Sequence, residues 1–252
     1  KLDDAYFLAS ESCAFDIMDA KYIRDVGPGE MVVVDEHGLH SYFPFEPVQP
    51  SFCIFEYIYF ARPDSRIFGE NVDKPRRRFG RRLAEEHPVD ADVVIAVPDS
   101  ANTAALGYAE QSNIRFEIGL IRNHYLGRTF IDPNQAMRER KVKLKFNTVK
   151  GVLKGKRVVL VDDSIVRGTT LRQLVRLVHQ SGAAEVHVRI SSPPIKHPCF
   201  YGIDMQTRGG LIAANDAEDP VDQVREFIGA DSLGYLSTEG LLKIASENAS
   251  EN

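Results

Sequence analysis

Four short runs rich in branched apolar residues constrain this chain more than any other feature. They are Ala91–Val97, Phe116–Ile121, Arg157–Val161 and Glu185–Ile190. Apolar side chains that run on without strict alternation mark strands buried on both faces. Helical patterns lie between them. Thr103–Gln111 reads as one helix. Leu171, Leu174, Val175 and Val178 fall at the spacing that puts one apolar stripe on another. A further helical stretch, Phe79–Glu86, ends before Pro88. Strands alternating with helices predict an α/β fold with a mainly parallel sheet and helices on both faces. In such a sheet, ligands bind at the carboxyl ends of the strands.

The first fifth of the chain has a different texture. Residues 1–45 look β-rich, with short apolar stretches (Tyr6–Ala9, Met31–Val34) between turns at Gly27–Gly29 and His37–Gly38. Phe43–Pro50 carries three prolines and reads as a linker, so the expected boundary separates 1–49 from 50–252. Phe52–Phe60 is aromatic and β-prone. The polar tail Ala245–Asn252 is expected to fray. At 252 residues the chain fits one large domain or one and a fraction.

Composition excludes several classes. The longest apolar runs are about five residues, far short of the roughly 20 a membrane-spanning helix needs. Net charge is −5, with 31 basic against 36 acidic residues, so no overall basic field points to nucleic acid. Three widely spaced cysteines, Cys13, Cys53 and Cys199, do not make a disulfide framework and fit a reducing, cytoplasmic setting. Lys1–Ser10 has no apolar core of a secretory signal.

The stretch that carries chemistry is Val158–Thr170, VVLVDDSIVRGTT. A buried strand delivers two adjacent acids, Asp162 and Asp163, to its carboxyl end. A short loop from Ser164 to Thr169 leads into the helix, and Thr170 with Gln173 fits a capping box. Free backbone N–H groups and a helix N-terminus favour a phosphate. Gly168 allows close approach, and Ser164, Thr169 and Thr170 add hydroxyl donors. Two carboxylates beside a phosphate site repel an anion, unless the ligand also presents a vicinal diol or a Mg²⁺ ion. A ribose phosphate satisfies both halves. The chain contains neither GxxxxGK[ST] nor a GxGxxG after a strand.

DDSIVRGTT after an apolar strand resembles the phosphoribosyl pyrophosphate (PRPP) loop of type I phosphoribosyltransferases. The SIVRGTT variant resembles the glutamine PRPP amidotransferase family. So do ESCAFDI (11–17), EYIYFARPDS (56–65), VPDSANTAALGYAE (97–110), IRNHYLGRTFIDPNQ (121–135), VKLKFN (142–147) and PCFYGID (198–204). The resemblance implies a type I phosphoribosyltransferase fold, preceded by a β-rich remnant of an N-terminal nucleophile glutaminase domain. It implies transfer of ammonia to C1 of PRPP, which gives 5-phosphoribosylamine and pyrophosphate in purine biosynthesis. It assigns PRPP binding to Asp99, Ser100, Asp162, Asp163, Ser164, Arg167, Gly168, Thr169 and Thr170, with Mg²⁺ near Ser100, Asp162 and Asp163. Val97–Asn102 becomes a pyrophosphate loop, and either Ser100 or Asn102 is placed to cap the helix that follows. A homo-oligomer, dimer or tetramer, inhibited by purine nucleotides is also implied.

Residues 122–145 form a long connection with little periodicity. They hold seven basic residues against Asp132 and Glu139, a charge of +5 in an acidic chain. Beside a polyphosphate site such a segment reads as a lid. By resemblance Arg122 and Arg128 reach pyrophosphate, Tyr125 is a gate, and His124 stands where another basic residue serves. Cys53 and Cys199 occupy positions where one branch of the family ligates an iron–sulfur cluster. A [4Fe–4S] cluster wants four thiolates, so the resemblance implies a cluster in a full-length parent, while in this chain it is not expected. Residue 1 is Lys rather than a nucleophilic Cys, so the expected nitrogen source for this chain is free ammonia and not glutamine. Two rivals remain: another type I transferase acting on a nucleobase, and a non-catalytic PRPP-sensing regulator. The GRTF loop argues against the first, and the absence of an apparent helix-turn-helix against the second. The lid reading predicts that Arg128→Ala abolishes ammonia-dependent turnover, measured as pyrophosphate release; a wild-type rate would rule it out.

Overall fold

A computed structural model describes residues 1–49, 51–123, 145–203, 207–214 and 220–247. The chain divides into two compact units, Lys1–Val72 and Asp73–Glu251.

In the first unit, α1 (Cys13–Ile17) precedes a two-stranded antiparallel hairpin, β1 (Met31–Asp35) and β2 (Gly38–Tyr42), in register from Met31↔Tyr42 to Asp35↔Gly38. Gly38 enters β2 at φ 116°, a conformation open to glycine. Tyr6–Ala9 joins no strand. Phe52–Phe60 is not a strand either: Glu56–Phe60 forms a wide π-helical turn. Tyr57 and Ile58 are adjacent and both 3% exposed. The Tyr57 ring packs edge-on against Phe68, 5.6 Å between centroids, and its hydroxyl donates to the Ile67 carbonyl at 3.0 Å. A short hairpin, β3 (Arg66–Ile67) with β4 (Glu70–Asn71), closes the unit. Glu11 accepts hydrogen bonds from the Arg62 amide (2.7 Å) and the Ser65 hydroxyl (2.8 Å), while Ser12 accepts one from the Arg66 amide (2.7 Å).

The second unit is an α/β layer structure. In chain order it holds α2 (Asp73–Glu86), β5 (Val93–Ala96), α3 (Asn102–Ser112), β6 (Leu120–Arg122), β7 (Phe146–Thr148) and α4 (Lys150–Leu153). Then come β8 (Arg157–Asp162), α5 (Thr169–Gln180), β9 (Glu185–Ile190), α6 (Pro220–Ile228), β10 (Ser232–Tyr235) and α7 (Thr238–Ser246). The central sheet runs β10-β9-β8-β5, every pair parallel. A parallel bridge between Val94 and Phe116 extends it beyond β5. The chain therefore leaves β5 in one direction, to Phe116, and returns to β8 on the other side. Right-handed crossovers in opposite directions put α3 and α5 on opposite faces of the sheet. Contacts agree: α2 and α7 join α3's face, while α5 packs on β9 and α6. All of β5 and the middle of β8 are buried.

Phe116–Ile121 is not one strand. After the Phe116 bridge the chain turns, and Leu120–Arg122 pairs antiparallel with β7. Leu120 and Phe146, 3% and 4% exposed, anchor this hairpin, and the Asn123 amide bonds the Lys145 carbonyl at 2.8 Å. The ends of the long connection are thus clamped together.

Helix α2 begins six residues before the expected start at Phe79. Its buried stripe includes Arg76, 3% exposed, three residues before Phe79, and an arginine there hides the apolar period. Helices α2 and α3 cross closely at two glycines. A Cβ on Gly80 would run into the Ala104 carbonyl, and one on Gly107 into that of Arg77. Helix propensity favours alanine over glycine, but the crossing reverses the sign. Gly107→Ala should destabilise the protein by about 1–3 kcal/mol, read from chemical denaturation; a gain in stability would contradict this packing.

Candidate active site

Two loops form the site because β5 and β8 are neighbours and parallel. Their carboxyl ends lie at one edge of the sheet, at the point where the strand order reverses. From β5 the chain runs through Val97–Ala101 into α3, with a cis peptide between Pro98 and Asp99. From β8 it runs through Asp163–Gly168 into α5.

Asp162 ends β8 and is half-buried, and Asp163 is 5% exposed. Asp162 accepts a hydrogen bond from the Asp163 amide at 2.9 Å. Asp163 accepts one from the Ser164 hydroxyl at 2.6 Å, and the Ser100 hydroxyl, on the other loop, lies near enough to favour its charged form. Burial pushes the Asp162 carboxyl well above the usual carboxylate range, and the neighbouring Asp163 charge adds to the push. Burial also raises Asp163, while the Ser100 and Ser164 donors and the charge of Arg76 pull the other way. Arg76, on α2, is thus part of this environment, a role its place in a basic run did not signal. Its spacing to Phe79 and Leu83 was the available clue.

Gly168 adopts φ 68° and opens α5. The helix starts at Thr169, so Thr170 lies inside it and the capping box does not form; the Gln173 side-chain oxygen is buried without a partner. With a glycine at the cap, the first-turn N–H groups are left for a ligand. Helix α3 likewise has Ala101 at its cap and no side-chain cap bond, so neither Ser100 nor Asn102 caps it. Arg122, on β6, pairs with Asp99 at 3.1 Å. The site thus joins Asp99 to Arg122 and Ser100 to Asp163, with Ser164 next to the acids. Arg167, Thr169 and Thr170 are exposed along the same loop and helix start. His124, Tyr125 and Arg128 lie outside the described residues.

Among the described residues, no group of three or more His, Cys, Asp or Glu is placed to hold a metal ion. Two carboxylates and a hydroxyl suit Mg²⁺ when substrate phosphates supply further oxygens. Cys53 is exposed and lies in the first unit. Cys199 is half-buried in the second, its thiol held below the usual value by the Ile203, Tyr201 and Gly202 amides. Two thiols fall short of the four a [4Fe–4S] cluster requires.

Residues 77–191 match the phosphoribosyl transferase domain family. The amidophosphoribosyltransferase of Bacillus subtilis is 54% identical over 242 residues, 96% of this chain and 50% of that protein. The Synechococcus elongatus enzyme of the same name is 52% identical, over 96% of this chain and 49% of that protein. The chain is thus similar to one half of these amidophosphoribosyltransferases. A solved B. subtilis glutamine PRPP amidotransferase, in complex with ADP and GMP, superposes with a TM-score of 0.85 at 54% identity, over 94% of this chain and 52% of that one. A second structure, of an allosteric regulatory enzyme of purine biosynthesis, gives 0.84 at 55% identity, over 93% of this chain and 50% of that one. This chain spans about half the length of the relatives it matches. Its second unit has the type I phosphoribosyltransferase fold. No helix among the described residues is long and apolar enough to cross a membrane.

The raised acids predict a trade between stability and ligand binding. A carboxyl with a raised pKa in the fold destabilises it above that pKa, and the penalty vanishes below the unfolded value near 4. Asp162→Asn should raise the melting midpoint at pH 7. The gain should shrink as pH falls toward 4. A lower midpoint at pH 7 would contradict the arrangement.

Proposed function

We propose that this chain carries the phosphoribosyltransferase half-reaction of an amidophosphoribosyltransferase. Ammonia, drawn from glutamine in the whole enzyme with release of glutamate, attacks C1 of PRPP. The C1–N bond forms as the C1–O bond to pyrophosphate breaks, and the bonding pair leaves with pyrophosphate. The product is 5-phosphoribosylamine after a proton passes to solvent.

The observation that carries this reading is the paired acid tip beside a glycine-opened helix. Asp162 and Asp163 accept hydrogen bonds from the ribose diol. The loop and first-turn N–H groups of 164–170, with the Ser164, Thr169 and Thr170 hydroxyls, hold the 5′-phosphate. Asp99, Ser100 and Arg122 lie at the pyrophosphate end. There Arg122 leaves Asp99 for the anion, a charge-assisted bond that strengthens as negative charge builds on the leaving group. Ammonia is already a nucleophile, so positioning and exclusion of water matter more than a general base. By resemblance the same reading gives Tyr125 the role of a gate and Arg128 that of a pyrophosphate ligand. Asp162, Asp163 and Ser100 would hold a Mg²⁺ ion together with PRPP phosphates, and the ion would supply charge neutralisation.

Residues 1–49 are read as the end of a glutaminase domain. Support comes from their surface: Ile17, Phe43, Phe45 and Val48 are each at least two-thirds exposed. A lone two-stranded sheet is marginal without more structure against it. Purine-nucleotide inhibition, homo-oligomerisation and a cytoplasmic location complete the reading. The relative solved with ADP and GMP supports the first.

The test is pyrophosphate release from PRPP with Mg²⁺ and ammonium. Wild type should turn over, and Asp163→Asn should lose at least about a hundredfold in rate with its fold intact. Unchanged kinetics in that variant would sink the assignment. Preference for a free nucleobase over ammonia would favour the rival transferase.

A further inference from the structure

A loop that binds phosphate through backbone N–H groups works only if something fixes its backbone. Three contacts fix this one from behind. Ile165, 3% exposed, anchors its middle. The Ile212 amide donates to the Val166 carbonyl at 2.9 Å. At Gly168, where the loop becomes helix, an added Cβ would lie 3.0 Å from Ile212 Cδ1 and 3.2 Å from Phe227 Cε1. The glycine therefore rests on a methyl group and a ring edge.

Phe227 belongs to α6, which is held to the core by Val224 and Ile228, 0% and 1% exposed. Phe227 itself is 37% exposed, so it is not an ordinary core residue. The Arg172 guanidinium, one turn into α5, sits 5.0 Å from its ring centroid. One ring thus fills the space a Cβ on the left-handed glycine would take and packs under Arg172 in the first turn of the helix behind the loop. A cavity of about 390 Å³ opens beside it, lined by Arg167, Gly209, Gly210, Ile212 and Gln223 as well as Phe227. If the ring were removed, the loop would have space to relax into.

We propose that Phe227, seated with Ile212, is a positioning residue for the 5′-phosphate loop. It touches no substrate. It acts by holding Gly168 and the start of α5 where their amides meet the phosphate. This inference rests on the PRPP reading above and makes a narrower claim. The brace lies behind one loop only, while the pyrophosphate end is built from Asp99, Ser100 and Arg122 on other elements. Loss of the brace should therefore weaken the sugar-phosphate half of the site and spare the other.

The test is calorimetric titration of the 252-residue chain with Mg²⁺ and, separately, PRPP, ribose 5-phosphate and inorganic pyrophosphate. Phe227→Ala should raise the Kd for ribose 5-phosphate about tenfold and leave that for pyrophosphate within about twofold. Phe227→Leu, which keeps an apolar contact, should recover most of the loss. Ile212→Ala should show the same split should Phe227→Ala fold poorly. Equal weakening of both ligands, or no change in either, would overturn the proposal. Failure of the wild type to bind PRPP at all would instead overturn the PRPP reading, and the proposal with it.

Discussion

The arrangement on which the site depends is two like-charged carboxyls set side by side at a buried strand tip. Asp162 and Asp163 gain nothing from each other, and burial penalises both ionised forms. The protein offsets part of that penalty at Asp163, where Ser100, Ser164 and Arg76 favour the charge. At Asp162 the only offset is the Asp163 amide. The pair is therefore poised for a ligand that brings hydroxyl donors or positive charge. A ribose diol and a divalent cation bring both. An arrangement unfavourable alone and relieved on binding suits the substrate site proposed for it.

Topology explains why the pair finds the rest of its site. The chain crosses from β5 to Phe116 in one direction and comes back to β8 in the other, so the loops after β5 and β8 open side by side. Their hydroxyls meet at one carboxylate. The β6–β7 hairpin then leaves the sheet at the same edge and carries Arg122 to Asp99. Close helix crossing at Gly80 and Gly107 seats α2 against α3, with Arg76 on the buried side. Fold and site share one origin: buried parallel strands that end together.

Much of this was legible in the chain itself. Continuous apolar runs mark β5, β8 and β9, and the acid pair, glycine and amphipathic helix after β8 mark the loop. What stayed hidden has physical causes. The first half of α2 is masked because a buried arginine occupies an apolar position. Phe52–Phe60 has the composition of a strand, yet no partner strand, and Tyr57 and Ile58 are buried in succession. Capping signals at Thr170, Ser100 and Asn102 are genuine local preferences. At Thr170 the preference lost to the left-handed Gly168, and at Ser100 and Asn102 to a helix start that puts Ala101 at the cap. Ile212 and Phe227 belong to no motif, and only the folded chain brings them under Gly168.

The most direct measurement is a crystal structure of the protein with PRPP and Mg²⁺. The account predicts the ribose hydroxyls within hydrogen-bond distance of Asp162 and Asp163, and the 5′-phosphate against the amides that follow. Density for the sugar at any other edge of the sheet, with the two acids untouched, would contradict it.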